Sequence, residues 1–183
     1  MPDLLTHYAV SFLISSRVYS IRRSAIIAFI GLLPDVDALL RIHRWATHSL
    51  ILAIAGGLML AALLTLLDRK SLKILYLSIA LYIIHIIMDI FTAPTPLLWP
   101  LTGDAYTISL EVDGSVSGKG IAVIPLIELS REGVNFTQRE VIEGPIASPT
   151  GVIISIASIA AITVERALNI GKSLGSAKGK SSL

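Results

Sequence analysis

The chain alternates long apolar runs with short polar breaks, and the run lengths predict its elements. Two uncharged stretches, Ser49–Leu67 and Gly144–Val164, are long enough for a helix that crosses a bilayer, which takes roughly 20 apolar residues. A third, Ile74–Ala93, has a similar length but carries His85 and Asp89, and ionisable groups are costly enough in lipid to need a reason. Leu4–Ser16 and Ser24–Pro34 are shorter than a span and fit a re-entrant pair, a tilted pair or helices lying in the interface. The predicted order is a helix over about 4–18, a second over about 22–34, a third over about 47–68, a tight turn at DRKS and a fourth over about 72–93.

From Pro94 to Pro149 the texture becomes mixed and rich in turn residues. AYTISLEVDGSVSGKGIAVIPLIEL reads as two β-rich runs joined through Asp113-Gly114 and the glycines at 118 and 120. TQRE at 137–140 has the form of a helix capping box, Thr137 with Glu140. A fifth helix over about 150–168 leads into the basic tail GKSLGSAKGKSSL, expected to be flexible. The expected fold class is an all-α membrane protein: a bundle of about five helices, two short and three spanning, with a small β-rich extracytoplasmic insert. Residues 1–168 form one membrane domain containing the insert 94–149, and 169–183 form the tail.

Composition agrees with a bilayer partner. The chain is 54% hydrophobic and 15% charged, with a mean hydropathy of +0.76, far more apolar than a soluble core requires. Its net charge of +2 comes from dispersed Lys and Arg flanking the apolar runs, which suits membrane topology and not a nucleic-acid groove. MPDLLTHY has an acid where a secretory signal has basic residues, so this segment is expected to stay in the mature chain. With no cysteine, a metal site has to use His, Asp, Glu or backbone oxygen.

Short loops rich in Lys and Arg tend to stay cytoplasmic. Arg17, Arg22 and Arg23 mark the first turn, Arg69, Lys70 and Lys73 the third, and Arg166, Lys172, Lys178 and Lys180 the tail. If every helix crosses, these fall on one side, which puts the amino terminus outside and the carboxyl terminus in the cytoplasm.

That topology carries the ionisable groups to one level. His7 lies near the outer end of the first helix, and Asp35 and Asp37 of LLPDVD follow the second. His43, Arg44 and His48 of HRWATHS precede the third, with Trp45 as an interfacial anchor, and His85 and Asp89 lie in the outer half of the fourth. A composite metal site needs ligands that converge in this way from several rigid elements. His85 and Asp89, four apart, share a helix face with Ser78 and Tyr82. Ala53, Gly57 and Ala61 recur every four positions on the third helix and allow close helix approach. Taken singly, each motif also has an ordinary structural use: PDVD as a turn or cap, His and Asp four apart as hydrogen-bonded neighbours, and HRWATHS as a polar loop ending in a helix cap.

The early His, LLPDVD, HRWATHS, HIIMD and FTAPTPLLWPL together resemble the inner-membrane metal-dependent hydrolases of the YdjM type. Their pattern runs LPD-x-D, HR-x-x-THS, H-x-x-x-D and a Thr/Gly/Pro segment ending in LWP. The resemblance covers about residues 1–101 and implies site residues Asp35, Asp37, His43, His48, His85 and Asp89, with His7 joining them. This chain has APTP where the family commonly has a Gly before LLWP, and the insert 102–146 and last helix have no counterpart in the pattern.

The leading expectation is a membrane hydrolase using one or two divalent ions, Zn²⁺ or Mn²⁺, on a lipid or phosphoester at the outer face. Asp37, His48, His85 and Asp89 lead the ligand candidates. Asp35 or His43 would serve as a second-metal ligand, an orienting group or a general base. Arg44 is a candidate clamp for an anionic substrate group, or a partner of Asp35. The competing readings are a metal or proton transporter and a non-catalytic structural or regulatory membrane protein.

Overall fold

The computed structural model describes residues 3–42, 44–118, 120–141 and 144–180, with side chains described to residue 168. Helix α1 (Leu4–Ser15) begins at Asp3, whose carboxylate accepts the Thr6 amide at 2.6 Å as an N-cap and the Ser148 amide at 2.7 Å. Ser148 directly precedes α5 (Pro149–Lys180), so one carboxylate ties together the starts of two helices far apart in sequence. The fit requires Gly151: a Cβ there would lie 2.4 Å from an Asp3 oxygen. Farther along, Arg17 pairs with Glu165, so α1 runs parallel to α5 between two polar ties. Proline suits the first position of α5, where no intrahelical N–H is needed, and the helix continues past the boundary at 168 expected from fading hydropathy.

The chain then returns antiparallel to α1. Tyr8 donates to the Ala25 carbonyl at 3.0 Å and Ser15 to the Ser24 carbonyl at 3.2 Å. An α-helix was expected over about 22–34, but α2 (Ile21–Ile27) is only seven residues long and gives way to a 3₁₀ segment, Ala28–Leu40. Pro34 explains part of the change. Its ring would clash with the Ile30 carbonyl in α geometry, and it has no N–H to donate. In 3₁₀ register that missing donor is the natural partner of the Gly31 carbonyl. The Gly31 oxygen is therefore available to another group.

Three helical stretches are long and apolar enough to cross a membrane: Leu50–Leu67, Arg69–Ile90 and Pro149–Leu168, with mean hydropathies of 2.6, 1.9 and 1.7. The first is α3 (Leu50–Leu67) and the second contains α4 (Leu72–Ile90); the expected tight turn between them is a 3₁₀ turn, Arg69–Ser71. Gly57 and Ala61 are buried against α4, as the small-residue spacing predicts, and a Cβ on Gly57 would lie 2.8 Å from Ile79 Cδ1. The large apolar side chains of α3, including Leu58, Met59, Leu66 and Leu67, point outward, as a lipid-facing surface requires.

The insert contains an antiparallel hairpin, β1 (Asp104–Ser117) and β2 (Gly120–Gly133), in register from Asp104 opposite Gly133 to Ser117 opposite Gly120. Asp113-Gly114 lies inside β1, so the chain reverses at the later glycines, where Gly120 has φ +125°. Strict alternation in β1 supports this longer register: Ile108, Leu110, Val112 and Val116 fall opposite Leu129, Ile127, Pro125 and Ile121 on one face. TQRE caps no helix. The Asn135 carboxamide accepts the Thr137 amide at 3.0 Å, a local turn that wins where no apolar helical period follows. The loop then docks on the end of the 3₁₀ segment, with the Arg139 amide donating to the Arg41 carbonyl at 2.9 Å.

Candidate metal centre

Four segments meet where the 3₁₀ segment, the turn before α3 and the end of α4 converge beside α1. His48 closes a short 3₁₀ turn, Ala46–His48, held against α4 by Tyr82, whose hydroxyl donates to the Thr47 carbonyl at 2.6 Å. Asp37 orients the imidazole. Its Oδ2 accepts the Trp45 amide at 2.7 Å and the Thr47 hydroxyl at 2.6 Å, and lies 3.2 Å from His48 Nδ1. A proton on Nδ1 turns the Nε2 side of His48 toward the interior of the site.

His85 is fixed by a different acceptor. Its Nδ1 lies 2.7 Å from the Gly31 carbonyl freed by Pro34. A carbonyl only accepts, so Nδ1 carries the proton and the neutral ring presents the Nε2 lone pair. That atom is buried without a hydrogen-bond partner among the described residues, as is Asp89 Oδ2.

These groups form one cluster. His48 Nε2 lies 3.2 Å from Asp89 Oδ2 and 3.6 Å from Asp35 Oδ1; His85 Nε2 lies 3.8 Å and 3.5 Å from the same two oxygens. One ligand atom from each of Asp35, His48, His85 and Asp89 lies within 4.8 Å of the other three. A tetrahedral ion with bonds of about 2.0–2.1 Å has ligand atoms about 3.3–3.5 Å apart, so this donor set fits a divalent ion such as zinc. Buried imidazole and carboxylate atoms that face one another without hydrogen-bond geometry are what a shared cation satisfies.

Electrostatics within the cluster point the same way. Burial disfavours the charged form of His48, yet its contacts with Asp35, Asp37 and Asp89 outweigh this and push it up to about 10. Burial acts to raise Asp35, but the two imidazoles hold its carboxyl well below the usual carboxylate range. Asp37 is lowered for a similar reason, with His48, Thr47 and the Trp45 amide overcoming burial. The pocket is built to carry positive charge among its carboxylates.

The predicted residues separate into groups. Asp35, His48, His85 and Asp89 share the cluster, whereas Asp37 sits behind His48. His7 stacks on His85, ring centres 3.8 Å apart, and its Nε2 lies 3.3 Å from Asp89 Oδ1. Arg44 is 6% exposed, with Nη2 3.2 Å from Asp89 Oδ2 and 3.4 Å from the Thr92 hydroxyl, so its carboxylate partner is Asp89 and not Asp35. Its backbone is left-handed, φ +58°, a conformation unfavourable for a residue with a Cβ. His43 lies outside the described residues. Ser78, on the predicted stripe, bonds its own helix at the Ile74 carbonyl, 2.8 Å away. Gly31 and Thr47 were not anticipated; Pro34, three residues after Gly31, was the available signal for the first.

The fold and cluster define a polytopic membrane protein with a buried His/Asp group able to hold a metal ion. The family model of the YdjM inner membrane proteins matches residues 1–167, and the chain belongs to that family. No curated protein and no solved structure matches it.

Proposed function

We propose that the protein is a membrane-embedded metal-dependent hydrolase. The observation that carries this reading is the buried quartet Asp35, His48, His85 and Asp89, with His85 Nε2 making no hydrogen bond among the described residues. Two imidazoles and two carboxylates suit Zn²⁺ or Mn²⁺, and such an ion would take the place of the proton that His48 otherwise holds among its acids. When bound, such an ion supplies Lewis acidity, polarising an ester and lowering the pKa of water. The remaining tasks belong to the chain. Asp35, with a side chain 17% exposed against 3% for Asp89, is the member of the quartet open to solvent and so to a substrate. His7 and Arg44 hold the two oxygens of Asp89, Asp37 holds His48, and the Gly31 carbonyl holds His85.

A transport route would have to continue through the bundle. Thr65 and Ser78, which lie toward the opposite end, instead bond the carbonyls of Ala62 and Ile74 on their own helices, which favours a closed site.

The test is metal content by mass spectrometry. Purified wild type is expected to carry metal in stoichiometric amount and to hydrolyse a phosphoester, and a His48→Ala, His85→Ala variant to do neither. Stoichiometric metal in the double variant, or none in the wild type, would falsify the site.

The basic residues at Arg69–Lys73 and beyond Glu165 support an orientation with the cluster outside and the carboxyl terminus in the cytoplasm. A reporter fused after Leu183 is then active only on the cytoplasmic side; activity confined to the outside reverses the topology.

A further inference from the structure

Arg44 has an occupant on one side only. Nη2 meets Asp89 and Thr92, while Nε and Nη1, three N–H donors on a permanent cation, are buried with no partner among the described residues. Leaving charged donors unsatisfied in the interior is costly, so the position calls for an anionic acceptor. The same side chain lines a cavity of about 190 Å³ beneath the base of the hairpin, shared with Pro96, Ala105, Asn135, Phe136 and Arg139.

We propose that this cavity is the subsite for the phosphate group of the substrate, an inference that rests on the hydrolase reading above. Arg139 is a second basic residue in the lining. Asn135 brings a carboxamide whose oxygen is already taken by Thr137, which leaves its amide hydrogens as donors. Glu132 is the one acid in the lining, so two basic residues there stand against one acidic one, Glu132 and Arg139 both being solvent-exposed. Several donors around one cavity match the multiple oxygens of a phosphate better than the two of a carboxylate. Because Arg44 also touches Asp89, a phosphate held there has its ester bond beside the quartet.

The cavity is smaller than the roughly 300–1,000 Å³ of a small-molecule site, so it takes a group and leaves the rest of the molecule elsewhere. A second cavity of about 300 Å³, mostly apolar, begins at Ala46 and Tyr82 next to the cluster and extends to Leu60 and Leu75 on the spanning helices. This favours a lipid as the source of the phosphate.

The test uses the full chain in detergent, stripped of metal with EDTA so that binding reports the arginines alone, and titrated calorimetrically with inorganic phosphate and with dihexanoyl phosphatidic acid. Both are expected to bind, and Arg139→Gln, a change at an exposed residue, is expected to weaken both by about tenfold or more. Arg44→Gln is expected to abolish binding, and its unfolding temperature is measured in parallel. Tighter binding of the short-chain lipid assigns the subsite to a lipid headgroup; equal binding assigns it to a water-soluble phosphoester. No binding of either ligand, or binding unchanged in Arg139→Gln, overturns the subsite. Metal content of the unstripped protein separates the two readings: metal without phosphate binding sinks the subsite alone, and phosphate binding without metal sinks the hydrolase alone.

Discussion

Asp89→Ala is expected to give the largest loss of any single change, removing bound metal and much of the stability together. Asp89 is the point where His7, Arg44, His48 and His85 meet, all within 3.8 Å of one of its oxygens. Removing it leaves Arg44 buried without its carboxylate, and breaking a buried pair from one side costs about 3–5 kcal/mol. Asp89→Asn preserves the shape and should unfold at a temperature nearer to wild type, yet still lose metal, because a neutral carboxamide is a poor ligand for a divalent ion. Thermal unfolding in detergent and metal analysis of the two variants separate these effects. Full metal content in Asp89→Asn would remove Asp89 from the ligand set.

The second large effect is expected at a residue that touches no metal. Gly31→Ala puts a Cβ 1.9 Å from Ser11 Oγ and 2.9 Å from Ser11 Cβ, so the 3₁₀ segment has to move away from α1. Overpacking of this kind costs about 1–3 kcal/mol. The displaced carbonyl no longer fixes the His85 tautomer, and loss of such an orienting partner lowers metal affinity by about 10–100-fold. A compensating Ser11→Gly reopens the space at a helix cost of about 0.5 kcal/mol and is expected to restore affinity without restoring full stability. Competition titration with a chelator measures both variants; wild-type affinity in Gly31→Ala would show that the carbonyl does not position His85.

These two residues also show where the sequence is informative. Asp89 was legible because an acid four positions after a histidine in an apolar run is expensive and has to face protein. Gly31 was not, since its role depends on a carbonyl that Pro34 leaves without a 3₁₀ partner and on the approach of Ser11 from another element. The α-helix expected through Pro34 failed for the same reason. In the insert, the turn signal at Asp113-Gly114 was overridden because the longer register sets the alternating apolar residues of β1 opposite apolar partners on β2.

The roles within the site divide along a similar line. LLPDVD offers two carboxylates that sequence spacing alone cannot rank, and Asp37 was favoured over Asp35 as a ligand. The 3₁₀ geometry turns Asp35 into the cluster and Asp37 toward His48 Nδ1, the Trp45 amide and Thr47. Arg44 was a candidate clamp for an anion or a partner of Asp35, but its unpartnered face and the cavity beside it exist only once the hairpin base and the loop through Arg139 have folded over it.

By itself, then, the sequence determined the membrane character, the three long apolar helices, a hairpin in the insert and the candidacy of Asp35, His48, His85 and Asp89, because these follow from run length, periodicity and the cost of charge in lipid. Only the tertiary structure decided which carboxylate joins the imidazoles, what orients each ring and where an anion can rest. Those outcomes depend on contacts at the ångström scale between elements distant in sequence, and no local pattern encodes them.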